Sequence, residues 1–222
     1  MRLRLFLDSA DPHAWSQWLP TGLFHGITTN PSLLRQAGQP CRLEHLNQLS
    51  RQALDLGCKE LHLQAWGGDS ASFLDCGRRL AAFAPGRIAV KLPVTLAGAT
   101  AARELIAADL PVTFTACYEV PQVLIAAALG AAYIAPYLGR IGDQGRDGQA
   151  ELVAMKRSLE GLGSCVRLLV ASLRQSTDLA LLAAAGLDTF TISPAIASAL
   201  FGCEATNADA RRFEADAGCA TS

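Results

Sequence analysis

Short apolar runs alternate along the chain with longer stretches in which apolar residues recur at helical spacing. The short runs predict β-strands and the longer stretches predict α-helices. We predict strands at Leu3–Asp8, Gly26–Thr29, Glu60–Ala65, Ile88–Leu92, Val112–Thr115, Tyr133–Ala135, Arg167–Ala171 and Thr189–Ile192. We predict helices at Leu43–Leu56, Ser70–Phe83, Ala97–Ala107, Val120–Leu129, Glu151–Leu159, Ser176–Ala184 and Asn207–Asp216.

Strict alternation of strands and helices indicates a parallel sheet with helical crossovers. Several strands are apolar at nearly every position, as in Leu-Leu-Val-Ala at 168–171, which suits a strand covered on both faces. No Gly-rich phosphate or dinucleotide loop follows the first strand, which argues against an open nucleotide-binding sheet. We therefore predict one α/β domain over residues 1–222, a (β/α)8 TIM barrel with a C-terminal helix. That helix is expected to pack on the barrel or on a neighbouring subunit.

Charge and hydropathy narrow the class of protein. The 19 basic and 20 acidic residues leave a net charge of −1, so no basic excess points to a nucleic-acid or membrane partner. The apolar start ends at Asp8, which is too short for the core of a signal peptide. The weakly polar stretch from Val123 to Leu138 is divided by Gly130 and Pro136, so it does not predict a membrane span. We expect a soluble cytoplasmic protein.

Cysteine and histidine positions give no sign of a metal site. No two cysteines form a C-x-x-C pair, and none lies near a histidine at ligand spacing. The four histidines are scattered without a carboxylate cluster, so we expect no metal and no other cofactor. We expect reduced thiols packed as small buried hydrophobes at Cys41, Cys58, Cys76, Cys117, Cys165, Cys203 and Cys219.

In a barrel of this kind, polar residues at the carboxyl ends of the strands form the functional face. The residues at these ends are Asp8, Thr28, Thr29, Asn30, Gln64, Lys91, Thr113, Thr115, Tyr137, Arg140 and Ser172. Asp8 could relay a proton or bind a hydroxyl, or it could cap the following helix. Asn30 has the same two alternatives, and Thr28 could be an ordinary strand residue.

Lys91 is the strongest single indication of chemistry. Of the three lysines, Lys59 and Lys156 lie in polar surroundings, whereas Lys91 lies within Ile-Ala-Val-Lys-Leu-Pro-Val. Burying an unpaired ammonium is costly, so such a lysine finds a partner or loses its proton. A neutral amine is the nucleophile of Schiff-base chemistry. The alternative is that Lys91 reaches to water or pairs with Asp8.

The later strand ends predict proton transfer and anion binding. A phenol at Tyr137 could move a proton, and Arg140 could bind a phosphate or form a surface salt bridge. Ser172 ends the seventh strand, near the place where barrels commonly bind phosphate, and Arg174 could add positive charge. Gln64 cannot titrate, so it could position a water molecule but could not act as a base.

Five motifs in order along the chain resemble one known family. They are Phe-Leu-Asp-Ser-Ala-Asp at 6–11, Gly-Ile-Thr-Thr-Asn-Pro-Ser at 26–32, Val-Lys-Leu-Pro-Val-Thr at 90–95, Tyr-Ile-Ala-Pro-Tyr-Leu-Gly-Arg-Ile at 133–141 and Val-Ala-Ser-Leu-Arg at 170–174. Together they resemble the transaldolase family in its short form, which includes fructose-6-phosphate aldolase. The resemblance extends from about residue 3 to residue 215.

The resemblance implies a role for each matching residue. Lys91 would form the imine. The donor would be bound by Asp8, Thr28, Asn30 and Ser172, and the acceptor phosphate by Arg140 and Arg174. The catalytic water would be held by Gln64, Thr115 and Tyr137. Transaldolases usually carry Glu and Phe at the positions of Gln64 and Tyr137. The aldolases carry Gln and Tyr there, so this chain resembles the aldolase subgroup. Two departures are Trp66, which could narrow the pocket, and the bulky Phe114.

The expected function is that of a class I aldolase. It would join a dihydroxyacetone-type donor to glyceraldehyde 3-phosphate, or cleave a ketose phosphate such as fructose 6-phosphate, without a metal or organic cofactor. One alternative is a transaldolase, which moves a dihydroxyacetone unit between sugar phosphates. A second is a barrel that binds a sugar phosphate without catalysis. The resemblance also implies a homo-oligomer, with rings stacked into decamers in the family.

Overall fold

Eight parallel strands close into a barrel in the computed structural model, which describes residues 3–219. The strands are β1 (Arg4–Asp8), β2 (Gly26–Thr28), β3 (Glu60–Gln64), β4 (Ile88–Pro93), β5 (Val112–Cys117), β6 (Tyr133–Pro136), β7 (Arg167–Val170) and β8 (Thr189–Ile192). Each strand pairs with the next, and β1 pairs with β8. The (β/α)8 barrel is therefore confirmed, and the predicted strand ends agree to within two residues.

Helices follow every strand and cover the barrel. They are α1 (Pro12–Trp18), α2 (Pro31–Gln36), α3 (Leu43–Asp55), α4 (Ser70–Ala81), α5 (Leu96–Ala107), α6 (Gln122–Leu129), α7 (Leu138–Asp143), α8 (Gly148–Gly161), α9 (Thr177–Ala184), α10 (Pro194–Ala199) and α11 (Glu204–Cys219). The sequence analysis predicted no bounds for the short helices α1, α2, α7 and α10, which are six or seven residues long. So few residues do not show a helical period. Capping explains why three of them form, since Asp11, Asn30 and Ser193 each precede a helix that begins with proline.

Aromatic rings fill the barrel interior below the carboxyl ends of the strands. The ring of Phe6 lies 4.7 Å from the ring of His62, which lies 4.9 Å from the ring of Tyr133. Leu169 completes this cluster from β7. Gly26 on β2 leaves room for it, because a Cβ there would lie 1.9 Å from the Glu60 carbonyl oxygen and 3.1 Å from the Phe6 ring.

A buried ion network lies beneath these rings. His62 Nε2 bonds Glu60 Oε1 at 2.7 Å, and Thr113 Oγ1 lies 3.0 Å from His62 Nδ1. Burial lowers the pKa of His62. With the imidazole neutral, Nε2 carries the proton donated to Glu60, and Nδ1 accepts from Thr113. Arg4 approaches Glu60 at 3.9 Å and donates to the Tyr133 hydroxyl.

Glu60 should stabilise the fold strongly at neutral pH and less in acid. Burial alone would raise its pKa, but hydrogen bonds from His62 and Tyr133, with the charge that His62 and His25 carry when they are protonated in acid, lower it from 4.5 to about 2. The stabilisation is therefore present above pH 4.5 and is lost as the pH falls toward 2. We expect Glu60→Gln to lower the free energy of unfolding by about 3 kcal/mol at pH 7. The exposed Glu214→Gln is the control, and urea unfolding at pH 7 and pH 3 measures both. An equal loss at the two pH values would contradict this account.

The C-terminal helix extends away from the barrel. Every residue from Glu204 to Gly218 is exposed, including Phe213 at 61%. The expectation that this helix packs on its own barrel is therefore wrong. Its residues are too polar, and its apolar positions too few, to add to a barrel surface already covered by the other helices.

Half of the described cysteines depart from the expected burial. Cys58, Cys76 and Cys117 are free and buried, as predicted. Cys41, Cys165 and Cys203 are free but exposed, and all three lie in connections between elements. The side chain of Cys219 lies outside the described part of the structure.

Candidate active site

A cavity of about 140 Å³ opens at the carboxyl end of the barrel. It is lined by Asp8, Thr28, Asn30, Ser32, Leu33, Gln36, Lys91, Thr115, Ala135, Tyr137, Arg140, Leu169, Ala171, Ser172 and Thr191. Eight of the ten residues predicted for the site are in this set, and the exceptions are Gln64 and Arg174. The strand ends thus bring together side chains that are far apart in the sequence.

Lys91 lies inside the barrel wall with its amine directed to the cavity. It sits on β4 with 5% of its surface exposed, and Nζ donates a hydrogen bond to the Thr29 carbonyl oxygen at 2.8 Å. Burial lowers the pKa of Lys91, and the charge of Asp8 offsets this only in part. The lysine forms no ion pair, because within residues 3–219 no carboxylate lies within 4.0 Å of Nζ. Since only 5% of its surface is exposed, it does not reach bulk water either. This environment favours the neutral, nucleophilic amine.

Asp8 faces the same cavity from β1. Its Cα pairs with that of Thr28 on β2, and Thr28 Oγ1 donates to Asp8 Oδ1 at 2.6 Å. The alternative that Asp8 caps a helix is wrong, because Asp11 caps α1 by accepting from the His13 amide. The carboxylate is therefore available to a substrate hydroxyl.

Asn30 combines the two roles considered for it. Its side-chain oxygen accepts a hydrogen bond from the Leu33 amide at 3.0 Å and caps α2. The same residue lines the cavity. Because the cap uses the amide oxygen, the amide NH₂ is the group left to meet a substrate oxygen.

Tyr137 and Thr115 form a hydroxyl pair in the cavity wall. The two oxygens are 2.7 Å apart. The register of β5 against β6 shifts between Phe114 and Cys117, and Ala116 adopts a φ of 56°. Such a bulge turns neighbouring side chains, and here it accompanies the approach of Thr115 to Tyr137. A hydroxyl pair of this kind can pass a proton or hold a water molecule.

Arg140 is held by aromatic residues. It lies on α7 with its guanidinium 4.9 Å from the centre of the Tyr137 ring, and it donates to the Tyr118 hydroxyl at 3.4 Å. That hydrogen bond raises the pKa of Arg140. No carboxylate in the described chain lies within 4.0 Å of this guanidinium, so the surface salt bridge considered from the sequence is absent. A fixed cation at the mouth suits a phosphate.

Ser172 lies in the cavity wall in an unusual conformation. Its φ of 59° is left-handed, which costs a residue with a Cβ. Its carbonyl accepts the Gly139 amide at 2.9 Å, which ties this turn to the start of α7. Strain kept at a cavity-lining residue is typical of functional sites.

Arg174 and Gln64 lie outside the lining of the cavity. The guanidinium of Arg174 pairs with Asp143 in a separate surface hollow. Gln64 is on β3 two residues after His62, so it shares the interior face, and its Cα pairs with that of Lys91. Within the described residues it forms no side-chain hydrogen bond. Trp66 does not line the cavity either; it packs against the core.

Several cavity residues were missed by the sequence analysis. Thr191 on β8 satisfies the same strand-end rule that found Asp8 and could have been found with it. Ser32 and Gln36 lie one helical turn apart on α2 and face the mouth. Because no bounds were predicted for α2, the spacing of Ser32 and Gln36 did not indicate that the two side chains share a helix face.

Across 3–219 no group of three or more His, Cys, Asp or Glu side chains is placed to hold a metal ion. Over the same range no helix has the length and apolarity needed to cross a membrane.

Comparison with known proteins places this geometry in a family. The model for "Transaldolase/Fructose-6-phosphate aldolase" matches residues 5–220. A probable transaldolase of Phenylobacterium zucineum is 34% identical over 216 residues, covering 96% of each chain. One from Caulobacter sp. strain K31 is 31% identical over 214 residues, again covering 96% of each chain.

Solved structures with the same fold are more distant. A flavocytochrome b2 variant with sulfite bound has a TM-score of 0.61 at 14% identity, covering 86% of this chain and 56% of its own. A mandelate oxidase variant has a TM-score of 0.58 at 18% identity, covering 86% of this chain and 64% of its own. These likenesses concern the barrel alone. The family match and the relatives, taken with the site, show that this chain belongs to the transaldolase/fructose-6-phosphate aldolase family.

Proposed function

We propose that the protein is a class I aldolase that forms and cleaves a ketose phosphate such as fructose 6-phosphate. The observation that carries the proposal is the buried amine of Lys91, which meets Asp8 and the Tyr137–Thr115 pair in one small cavity. A nucleophile, a carboxylate and a hydroxyl pair are the groups that imine chemistry requires. The imine supplies the electrophile, so the reaction needs neither a metal nor an organic cofactor.

The reaction begins when neutral Lys91 attacks the ketone carbon of a donor such as dihydroxyacetone. Tyr137 donates a proton to the departing hydroxyl, water leaves, and an iminium forms on Nζ. Thr115 holds the phenol for this step through their 2.7 Å contact. Asp8 and Asn30 bind donor hydroxyls.

The second half forms the carbon–carbon bond. The iminium withdraws electrons, so the neighbouring carbon loses a proton to the Tyr137 phenolate left by the first step, and an enamine results. This carbon attacks the aldehyde of glyceraldehyde 3-phosphate, whose oxygen takes that proton back from Tyr137 as the bond forms. Water then adds to the new iminium and releases both the ketose and Lys91. The same steps reversed cleave the ketose.

A transaldolase is the second candidate, and the names of the relatives favour it. Both bacterial relatives are described as probable transaldolases. A transaldolase uses the same lysine but passes the enamine from one sugar phosphate to another aldehyde. Gln64 and Tyr137 favour the aldolase, because the transaldolases of the family usually carry Glu and Phe at these positions.

Free dihydroxyacetone as a donor separates the two candidates. Incubation with dihydroxyacetone and glyceraldehyde 3-phosphate should yield fructose 6-phosphate, measured by coupled reduction of a nicotinamide. A matched reaction with fructose 6-phosphate and a second aldose phosphate measures transfer. Synthesis from the free donor at a rate comparable to transfer supports the aldolase. Transfer without synthesis supports the transaldolase.

Removing the guanidinium of Arg140 should weaken binding of phosphorylated acceptors. Loss of a charge-assisted contact corresponds to about 10- to 100-fold, so Arg140→Ala should raise KM for glyceraldehyde 3-phosphate by about that factor. KM for unphosphorylated glyceraldehyde is the internal control and should change less than about threefold. Arg174→Ala is expected to have a smaller effect because Asp143 already pairs with it. An equal rise of KM for both acceptors would contradict the assignment of Arg140.

We also propose that the protein is a cytoplasmic homo-oligomer. The exposed helix α11, in which Phe213 is 61% exposed, supports association, because helices in proteins gain most of their stability from tertiary packing. Size-exclusion chromatography with light scattering should find the full chain at a multiple of 23.4 kDa and a variant that ends at Gly202 at a smaller multiple. A full chain that stays at 23.4 kDa at micromolar concentration would contradict this proposal.

A further inference from the structure

Thr191 lies in the active-site cavity without a part in the reaction described above. It is on β8 and 3% exposed, and its Oγ1 lies 2.5 Å from Oγ1 of Thr28 on β2. The two threonines meet across β1, since β1 pairs with β2 on one side and β8 on the other. Thr28 in turn donates to Asp8 Oδ1 at 2.6 Å. Three side chains from three adjacent strands are thus joined.

Counting protons fixes the direction of this chain. A threonine hydroxyl has one proton to donate and two lone pairs. Thr28 gives its proton to Asp8, so it can only accept from Thr191. Thr191 must therefore donate to Thr28. The resulting chain runs one way, from Thr191 through Thr28 to the carboxylate.

This hydrogen-bond chain gives the two carboxylate oxygens of Asp8 different roles. Oδ1 of Asp8 is occupied by Thr28, whereas within residues 3–219 no group donates a hydrogen bond to Oδ2. Oδ2 is therefore the oxygen that can accept a hydroxyl or a proton from a substrate. The hydroxyl proton of Thr28 is already committed, so Thr28 can offer a substrate only a lone pair.

We propose that Thr191 is a positioning residue that acts through Thr28 to hold Asp8 with one oxygen free for the substrate. The inference rests on the proposed aldolase function, in which Asp8 binds the donor. Hydrogen bonds in a chain that ends on a charge strengthen one another. Without the hydroxyl of Thr191, the hydrogen bond from Thr28 to Asp8 is weaker, and the Asp8 carboxylate can rotate away from the orientation that the substrate needs.

The test compares Thr191→Val, which keeps the shape but loses the hydroxyl, with Thr191→Ser, which keeps the hydroxyl. We expect Thr191→Val to lower kcat/KM for ketose cleavage by about tenfold. Thr191→Ser should recover to within about threefold of wild type. Thermal melting checks that each variant is folded, and Thr191→Ala replaces the valine variant if that one unfolds. Cleavage by the hydroxyl-free variant at the wild-type rate would overturn the proposal.

A double substitution separates positioning from a general structural role. In the Asp8→Ala background the acceptor of the Thr28 hydrogen bond is gone, so adding Thr191→Val should cost less than about twofold in a single-turnover cleavage rate. A further tenfold loss there would mean that Thr191 acts on something other than Asp8, and the proposal would be wrong. Adduct formation by the wild-type protein with donor and borohydride is measured first. Its absence would count against the aldolase function itself, whereas an adduct on the wild type together with wild-type cleavage by Thr191→Val would count against the Thr191 proposal alone.

Discussion

Replacing Lys91 with methionine is expected to abolish both turnover and trapping of the donor. Wild-type protein incubated with dihydroxyacetone or fructose 6-phosphate and sodium borohydride should gain one donor-sized adduct by intact mass, because borohydride reduces the imine to a stable amine. Lys91→Met should gain none, and its cleavage rate should fall on the order of 10⁴-fold or more, since the covalent route is lost.

The control for this experiment is Lys156→Met. Lys156 lies on α8 and pairs with Glu160 at 3.2 Å, away from the cavity, so its loss should leave the adduct unchanged. An adduct that persists on Lys91→Met would show that another amine reacts. Absence of an adduct on the wild type with both compounds would favour a barrel that binds sugar phosphates without imine chemistry.

Replacing Lys91 with methionine should also make the protein more stable at neutral pH. Burial lowers the pKa of Lys91 from 10.5, so the folded state holds this proton more weakly than the unfolded state does. The cost of the buried amine is greatest below its folded-state pKa and fades as the pH rises toward 10.5. Lys91→Met should therefore raise Tm at pH 7, and the gain should shrink at pH 10. A lower Tm at pH 7 would show that the Thr29 carbonyl bond outweighs the cost of burial.

Replacing Tyr137 with phenylalanine is expected to give the second-largest loss. The ring and its contact with Arg140 remain, but the hydroxyl that Thr115 contacts at 2.7 Å is removed. General acid–base catalysis contributes about 10²- to 10⁴-fold, so kcat should fall by about 10²-fold or more with little change in KM. Stopped-flow measurement of ketose cleavage gives both parameters.

Tyr118→Phe provides the matched comparison for this tyrosine. Its ring lies 5.6 Å from that of Tyr137, and its hydroxyl contacts only Arg140 among the side chains described. We expect kcat within about threefold of wild type and a higher KM for phosphorylated acceptors. If the two tyrosine variants lost kcat equally, the phenol of Tyr137 would have no special part in proton transfer.

The sequence predicted most of the barrel because burial leaves a strong local signal. A parallel strand covered on both faces is apolar throughout, so seven strand bounds differ by a residue or two and Thr189–Ile192 agrees fully. Lys91 was found because it interrupts such a run. Asp8 and Ser172 were found because the carboxyl ends of all strands meet on one face.

The features that the sequence did not predict depend on contacts between residues far apart in the chain. Arg174 follows a strand end, but its charge is taken up by Asp143, and nothing near either residue indicates that pairing. Gln64 has the right strand and face, yet its side chain is not among those lining the cavity. The exposure of α11 was equally hidden, because a helix pattern tells which face is apolar and not what covers it.

The filled interior beneath Lys91 has a consequence for selectivity. Phe6, Tyr133 and Leu169 occupy the barrel below the amine, so the described cavity is approached from the carboxyl end. An enamine formed there would receive its aldehyde and any proton from water by the same route. Whether the enamine reacts with the aldehyde or with a proton would then depend on how fully an acceptor bound at Arg140 displaces water from the cavity entrance. A poorly fitting aldehyde would thus slow synthesis, because protonation of the enamine returns it to the donor iminium before the carbon–carbon bond can form.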